Sequence, residues 1–149
     1  MNLYTIGFTQ KRAETFFNLL KENKIKTVVD IRLNNKSQLA GFSKGEDLKY
    51  FLNELCGIQY IHDIYLAPTK EILNNYKNKK INWQEYEKNF HELLDKRKTQ
   101  EFLDKKYKKE FDGICFLCSE PTADQCHRRL VVEYIKECYP GLAIDITHL

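Results

Sequence analysis

Two thiols, a carboxylate, an imidazole and a guanidinium stand close together between Gly113 and Arg129: Cys118-Ser119-Glu120, a short turn carrying Pro121, then Cys126-His127-Arg128. A thiol near a helix N-terminus, a histidine and an arginine ionises more readily than a free one, and its thiolate is a nucleophile. A carboxylate or imidazole at the same place can move a proton. A guanidinium there can hold a carboxylate or phosphate. Glu120, His127, Cys118 and Cys126 are therefore the catalytic candidates, and Arg128 is a candidate ligand-binding residue.

The surrounding pattern says how such a group would be positioned. Ile114-Cys115-Phe116-Leu117-Cys118 is a continuous apolar run, as expected of a central strand covered on both faces. Leu130, Val131, Tyr134, Ile135 and Cys138 follow at helical spacing, and Pro140-Gly141 ends that helix. Thr122 with Gln125 three residues on has capping-box spacing, which predicts the helix start there. Extending the apolar stripe backward by one turn places His127 on the sheet-facing side, with Arg128 off that line, flanking a crevice or meeting solvent.

Upstream, Leu3 to Phe8 reads as a buried strand, and Phe16, Phe17, Leu19 and Leu20 as a helix. Lys26 to Arg32 is a second strand with a polar end, followed by a loop of about ten residues, long enough to be functional. Leu48, Phe51, Leu52 and Leu55 mark a helix that Gly57 terminates, and Ile58 to His62 a third strand. Residues 63–80 read as loop with at most a short helix. Trp83, Tyr86, Phe90, Leu93 and Leu94 predict one helix, and Phe102, Leu103, Tyr107 and Phe111 another. Leu142 to Ile146 is a last strand. Strands alternating with helices predict one α/β domain over residues 1–149, a mainly parallel sheet of about five strands with helices on both faces.

In such a sheet the ligand crevice lies beyond the carboxyl ends of the strands. Those ends offer Gly7, which would let a ligand approach the backbone closely, and Thr9, a helix cap or a hydroxyl ligand. They also offer Asp30 and Arg32, which share a face of the second strand. Arg32 would bind a carboxylate or phosphate, while Asp30 would orient it or accept a substrate hydroxyl proton; a structural ion pair is the alternative. No complete phosphate-binding fingerprint is present. A metal held by Cys118, Cys126 and His127 is the lesser reading. Cys115 and Cys118, three apart on a strand, point to opposite faces, and no second paired-cysteine motif exists.

The chain has 149 residues, enough for one domain without disulfide staples. Its five cysteines are an odd number, and Met1-Asn2-Leu3-Tyr4 lacks the basic flank and apolar run of a signal peptide. Reduced thiols in a soluble, cytoplasmic protein are expected. No stretch approaches the roughly 20 apolar residues of a membrane span. The net charge of +3 is too small to imply nucleic acid by itself. Lysine clusters in the middle third, at Lys77-Asn78-Lys79-Lys80, Lys96-Arg97-Lys98 and Lys105 to Lys109, fit solvated helix faces better than a phosphate-binding surface.

Thr5-Ile6-Gly7-Phe8-Thr9, Val29-Asp30-Ile31-Arg32 with Ser37, Tyr60, and above all Cys118-Ser119-Glu120 with Cys126-His127-Arg128 resemble the domain of unknown function 488 family. The similarity runs in order over nearly the whole chain. It implies a compact α/β domain, brings no general activity, and adds Ser37 to the candidate ligand-binding residues. Phe8 stands where that family often has histidine, the proline usual after Asp-x-Arg is missing, and Leu66-Ala67-Pro68 replaces a more glycine-rich turn.

Three functions fit these residues. The first is a domain that binds or acts on a small anionic or nucleotide-like ligand, held by Arg32, Arg128 and the helix N-terminus. The second is a nucleic-acid or protein interaction module using the basic middle helices with Trp83, Tyr86 and Tyr107. The third is cysteine chemistry, because Asp-x-Arg followed by strand, cysteine and helix is similar to rhodanese-like domains. Glu120-Pro121, however, replaces a smooth ring of backbone donors.

Overall fold

The computed structural model describes residues 1–36 and 40–149; Ser37 lies outside the described residues. Five strands, β1 (Asn2–Gly7), β2 (Thr27–Asp30), β3 (Gln59–His62), β4 (Ile114–Cys118) and β5 (Asp145–His148), form one sheet in the order β3-β2-β4-β1-β5. Every pairing is parallel. Six α-helices connect them: α1 (Ala13–Glu22), α2 (Gly45–Tyr50), α3 (Lys70–Lys77), α4 (Trp83–Lys96), α5 (Thr99–Tyr107) and α6 (His127–Cys138). α2 widens into a π-helical segment, Phe51–Cys56, that stops at Gly57, whose φ of 65° is the left-handed conformation glycine adopts without strain.

The sheet separates two apolar layers. Phe16 and Leu20 of α1 and Leu48 of α2 pack with Ile6, Val28, Cys115 and Leu117 on one face. On the other, Tyr86, Phe90 and Leu94 of α4 and Val131, Val132 and Ile135 of α6 pack with Leu3, Val29, Ile114 and Phe116. Alternate residues of β4 thus enter different layers, as the pleat requires, and all five of its residues are buried. The direction of winding explains the layers. The chain runs from β1 outward to β3 with helices on one face, then returns through β4 to β5 with helices on the other.

That reversal positions a crevice. β2 and β4 are neighbours, with Asp30 opposite Leu117, yet β2 leads into α2 on one face and β4 into α6 on the other. Connections that diverge from adjacent parallel strands leave a gap at their carboxyl ends. The register also sets Gly7 beside Cys118.

Residues 63–80 are more regular than their sequence pattern. Ile64–Leu66 is a single 3-10 turn, and Thr69 caps α3 by accepting the Ile72 N–H at 3.2 Å. The start of α6 also differs from expectation. Cys126, not Thr122, is the N-cap, and it makes no side-chain capping bond; Pro121 and the turns behind it hold the chain out of helical conformation until His127. Thr9 does not cap α1 either, since Arg12 occupies that position.

Candidate functional site

A cleft of about 240 Å³ opens where β2 and β4 end. Arg32 to Asn34 form one wall, the turn from Cys118 to Glu120 the floor, Cys126 and His127 a second wall, and Tyr76, Trp83 and Tyr86 the aromatic side. Gly7, Thr9, Asp30 and Arg128 are not among the described residues that line it.

Asp30 and Arg32 form the structural ion pair, and that pair sets the wall. Arg32 Nε donates to Asp30 Oδ1 at 2.9 Å and Nη2 to Oδ2 at 2.7 Å. Nη2 also donates to the Ser43 carbonyl at 2.7 Å. Both carboxylate oxygens take a second bond, Oδ1 from the Arg32 backbone N–H and Oδ2 from the Tyr60 hydroxyl at 2.6 Å. Asp30 is 0% exposed; with its acceptor sites filled, it orients Arg32 and cannot reach a substrate proton. Arg32 is 3% exposed, stacks over Phe8 at 5.1 Å, and keeps one nitrogen, Nη1, without a partner among the described residues. A buried donor with no acceptor is unfavourable and invites one.

Gly7 and Arg128 stand behind the turn instead of inside the cleft. A Cβ on Gly7 would lie 1.7 Å from the Glu120 carbonyl oxygen and 2.9 Å from Arg128 Nη1. The glycine admits protein backbone, not a ligand. Thr9 N–H donates to the Ser119 carbonyl at 3.1 Å, and Arg128 Nη1 to the Glu120 carbonyl at 2.6 Å. These bonds turn carbonyl oxygens of the post-Cys118 segment inward, unlike a ring of N–H donors. Arg128 is 0% exposed, so it neither meets solvent nor flanks the cleft. Its Nε and Nη2 have no partner, and no carboxylate pairs with it among the described residues.

The cysteines and histidine do converge. Cys126, with an extended backbone at φ −137° and ψ 139°, ends the turns that follow Pro121, and His127 begins the helix, so these adjacent side chains can both turn toward the end of β4. His127 Nε2 donates to the Ile31 carbonyl at 2.7 Å, and its Nδ1 lies 3.5 Å from Cys118 Sγ. Cys118, Cys126 and His127 are all buried, and one donor atom from each lies within 4.8 Å of the others. Cys126 is held well below the ordinary thiol range by its hydrogen bond with Cys118, with His127 and the Arg128 cation adding to it and burial opposing. The same bond, with burial, pushes Cys118 well up. Cys115 lies in the other layer, among Ile6 and Val28. Glu120 is exposed at the rim.

A family model described as "Domain of unknown function DUF488" matches residues 12–135. The chain belongs to this family. The match includes Asp30, Arg32 and the whole segment from Cys118 to Arg128; Gly7 and Thr9 precede it. No curated protein and no solved structure matched.

Sequence reasoning did not find Tyr76 or the support that Tyr60 and Ser43 give to Asp30 and Arg32. Tyr76 carried a signal: Thr69 with Ile72, Leu73 and Tyr76 is a capped helix turn. Of the aromatics nominated for nucleic-acid contact, Trp83 and Tyr86 line the cleft. Tyr107 is buried, its hydroxyl donating to Asp63 at 2.8 Å, and presents no ring for stacking on a base. No helix is long and apolar enough to cross a membrane among the described residues.

Proposed function

We propose that this cleft binds a small anionic ligand with a planar, nucleotide-like body. The observation that carries the reading is Arg32: a guanidinium fixed in the wall by Asp30 and Ser43, with Nη1 unpartnered among the described residues. A pre-ordered guanidinium loses little entropy on meeting a carboxylate or phosphate. Arg128, buried without a carboxylate partner among the described residues, adds positive potential behind the floor, and the N-terminus of α6 adds to it. Trp83 and Tyr86, stacked on each other with centroids 5.0 Å apart and 16° between their planes, join Tyr76 in giving the body of a ligand an apolar, aromatic wall. Glu120 at the rim is the acid–base candidate. His127 is less free, because its Nε2 is committed to Ile31.

Trp83 is the only tryptophan in the sequence, so its fluorescence reports on the cleft. Titration with pyrophosphate and with nucleoside monophosphates is expected to give a saturable change, stronger for the nucleotides. Arg32→Lys should weaken binding by about tenfold, because it keeps the charge and loses the fork. Arg32→Ala is less informative, since it strands Asp30 as a buried charge. No saturable response to any small anion would overturn the proposal. So would a response confined to long polyanions and lost steeply with salt, which marks a nucleic-acid surface.

A further inference from the structure

The geometry points to a metal site at Cys118, Cys126 and His127, of the zinc type, with its fourth position open to the cleft. Three donors of the right chemistry meet from two elements, the end of β4 and the start of α6. Two thiolates and an imidazole form a ligand set that zinc takes with water or a substrate as the fourth ligand. The Cys118–His127 separation agrees with it, and all three donors lie within 4.8 Å of one another. Zinc–sulfur and zinc–nitrogen bonds of about 2.3 and 2.0–2.1 Å at a tetrahedral angle put the two donors roughly 3.6 Å apart. Cys118 Sγ and His127 Nδ1 are 3.5 Å apart.

The support around the ligands points the same way. A carbonyl oxygen only accepts, so the bond of His127 Nε2 to Ile31 assigns its proton to Nε2. Nδ1, the nitrogen facing Cys118, is thereby left as the one to bind a metal. Metal-binding histidines are oriented in this way by a donated bond from the second nitrogen. Phe90 stands edge-on to the imidazole, with centroids 5.8 Å apart, and helps fix its plane. Cys115 takes no part, since it faces the opposite layer. Metal entry displaces the thiol protons that remain to solvent, so the step is an exchange of protons for a cation and needs no oxidant. Arg32 lines the same cleft, so an anion on the open position would also meet its guanidinium.

The test is metal titration of the reduced, chelator-treated full chain. Zinc, read by competition with a chromogenic chelator, should bind as a single equivalent with Kd below about 1 µM. Cobalt(II) should give thiolate-to-metal charge-transfer absorption and the visible bands of a tetrahedral ion. Cys118→Ser and Cys126→Ser should each weaken zinc binding beyond the roughly 10–100-fold that loss of a second-shell partner costs. A Cys56→Ser/Cys138→Ser variant, altering two cysteines remote from the cleft, should bind as the parent does. Absence of stoichiometric zinc, a cobalt spectrum without thiolate bands, or spectra that survive loss of Cys118 or Cys126 would each overturn the site. If the serine variants fail to fold, zinc protection of Cys118 and Cys126 from alkylation in the parent chain decides instead, and no protection refutes it. Arg32→Lys separates this inference from the anion reading: it should leave the cobalt spectrum unchanged even where anion binding fails.

Discussion

At the residue scale, the site depends on close approaches that allow no added atom. Gly7 is the sharpest case, because a methyl there would collide with the Glu120 carbonyl, a backbone atom that cannot swing aside. Gly7→Ala should therefore destabilise the fold by about 2 kcal/mol or more, measured by urea denaturation, because overpacking moves the whole turn. A loss below about 0.5 kcal/mol would show that the turn yields easily. The sequence pointed to Gly7 as a place of close approach but not to what approaches. A glycine after a strand admits ligand or backbone alike, and only the pairing of Gly7 with Cys118 distinguishes them. The same holds for Asp30 and Arg32. Their spacing put both on one face, whereas the saturation of Asp30 depends on Tyr60, which is brought alongside by the parallel β2–β3 pairing.

At the element scale, α4 presents the aromatic side of the cleft, and its first turn is set by a capping box. Asn82 accepts the Glu85 N–H at 2.8 Å, and Glu85 accepts the Asn82 N–H at 2.8 Å. Trp83 is the next residue after that cap. Asn82→Ala should cost about 1 kcal/mol of stability and alter Trp83 fluorescence without ligand; an unchanged stability would mean that packing, not the cap, holds the turn. Helices α1, α4 and α6 were legible because their apolar residues recur with helical period over several turns. The start of α6 was not. Thr122 and Gln125 have the right types and spacing, but the chain between Pro121 and Cys126 is committed to bonds that fold it back, including Cys126 N–H to the Ala123 carbonyl at 3.2 Å.

At the scale of the whole molecule, β5 ties the chain's end to its beginning. His148 Nδ1 lies 2.7 Å from the Thr5 hydroxyl, and Leu149 N–H donates to the Thr5 carbonyl at 2.8 Å. Partial desolvation of this largely exposed ring, reinforced by the Arg128 charge, lowers the His148 pKa below its ordinary 6.5. The unfolded chain then takes up this proton at higher pH than the folded one. This contribution to stability is complete above about pH 6.5 and is lost as acid carries the pH down through the folded pKa. His148→Gln should flatten the fall in urea midpoint between about pH 6.5 and 5; an unaltered slope would assign the acid sensitivity to other groups. What the sequence determined by itself is the local physics: alternating strands and helices, hence a parallel α/β sheet, and a reactive segment at a strand-to-helix turn. Strand order and layer assignment came only with the tertiary structure. Periodicity says which face of an element is apolar, but not which neighbour covers it. That choice sends Arg128 behind the turn, leaves Arg32 on the cleft wall, and brings Cys118, Cys126 and His127 to one point, because pairing and layer packing act between residues far apart in the chain.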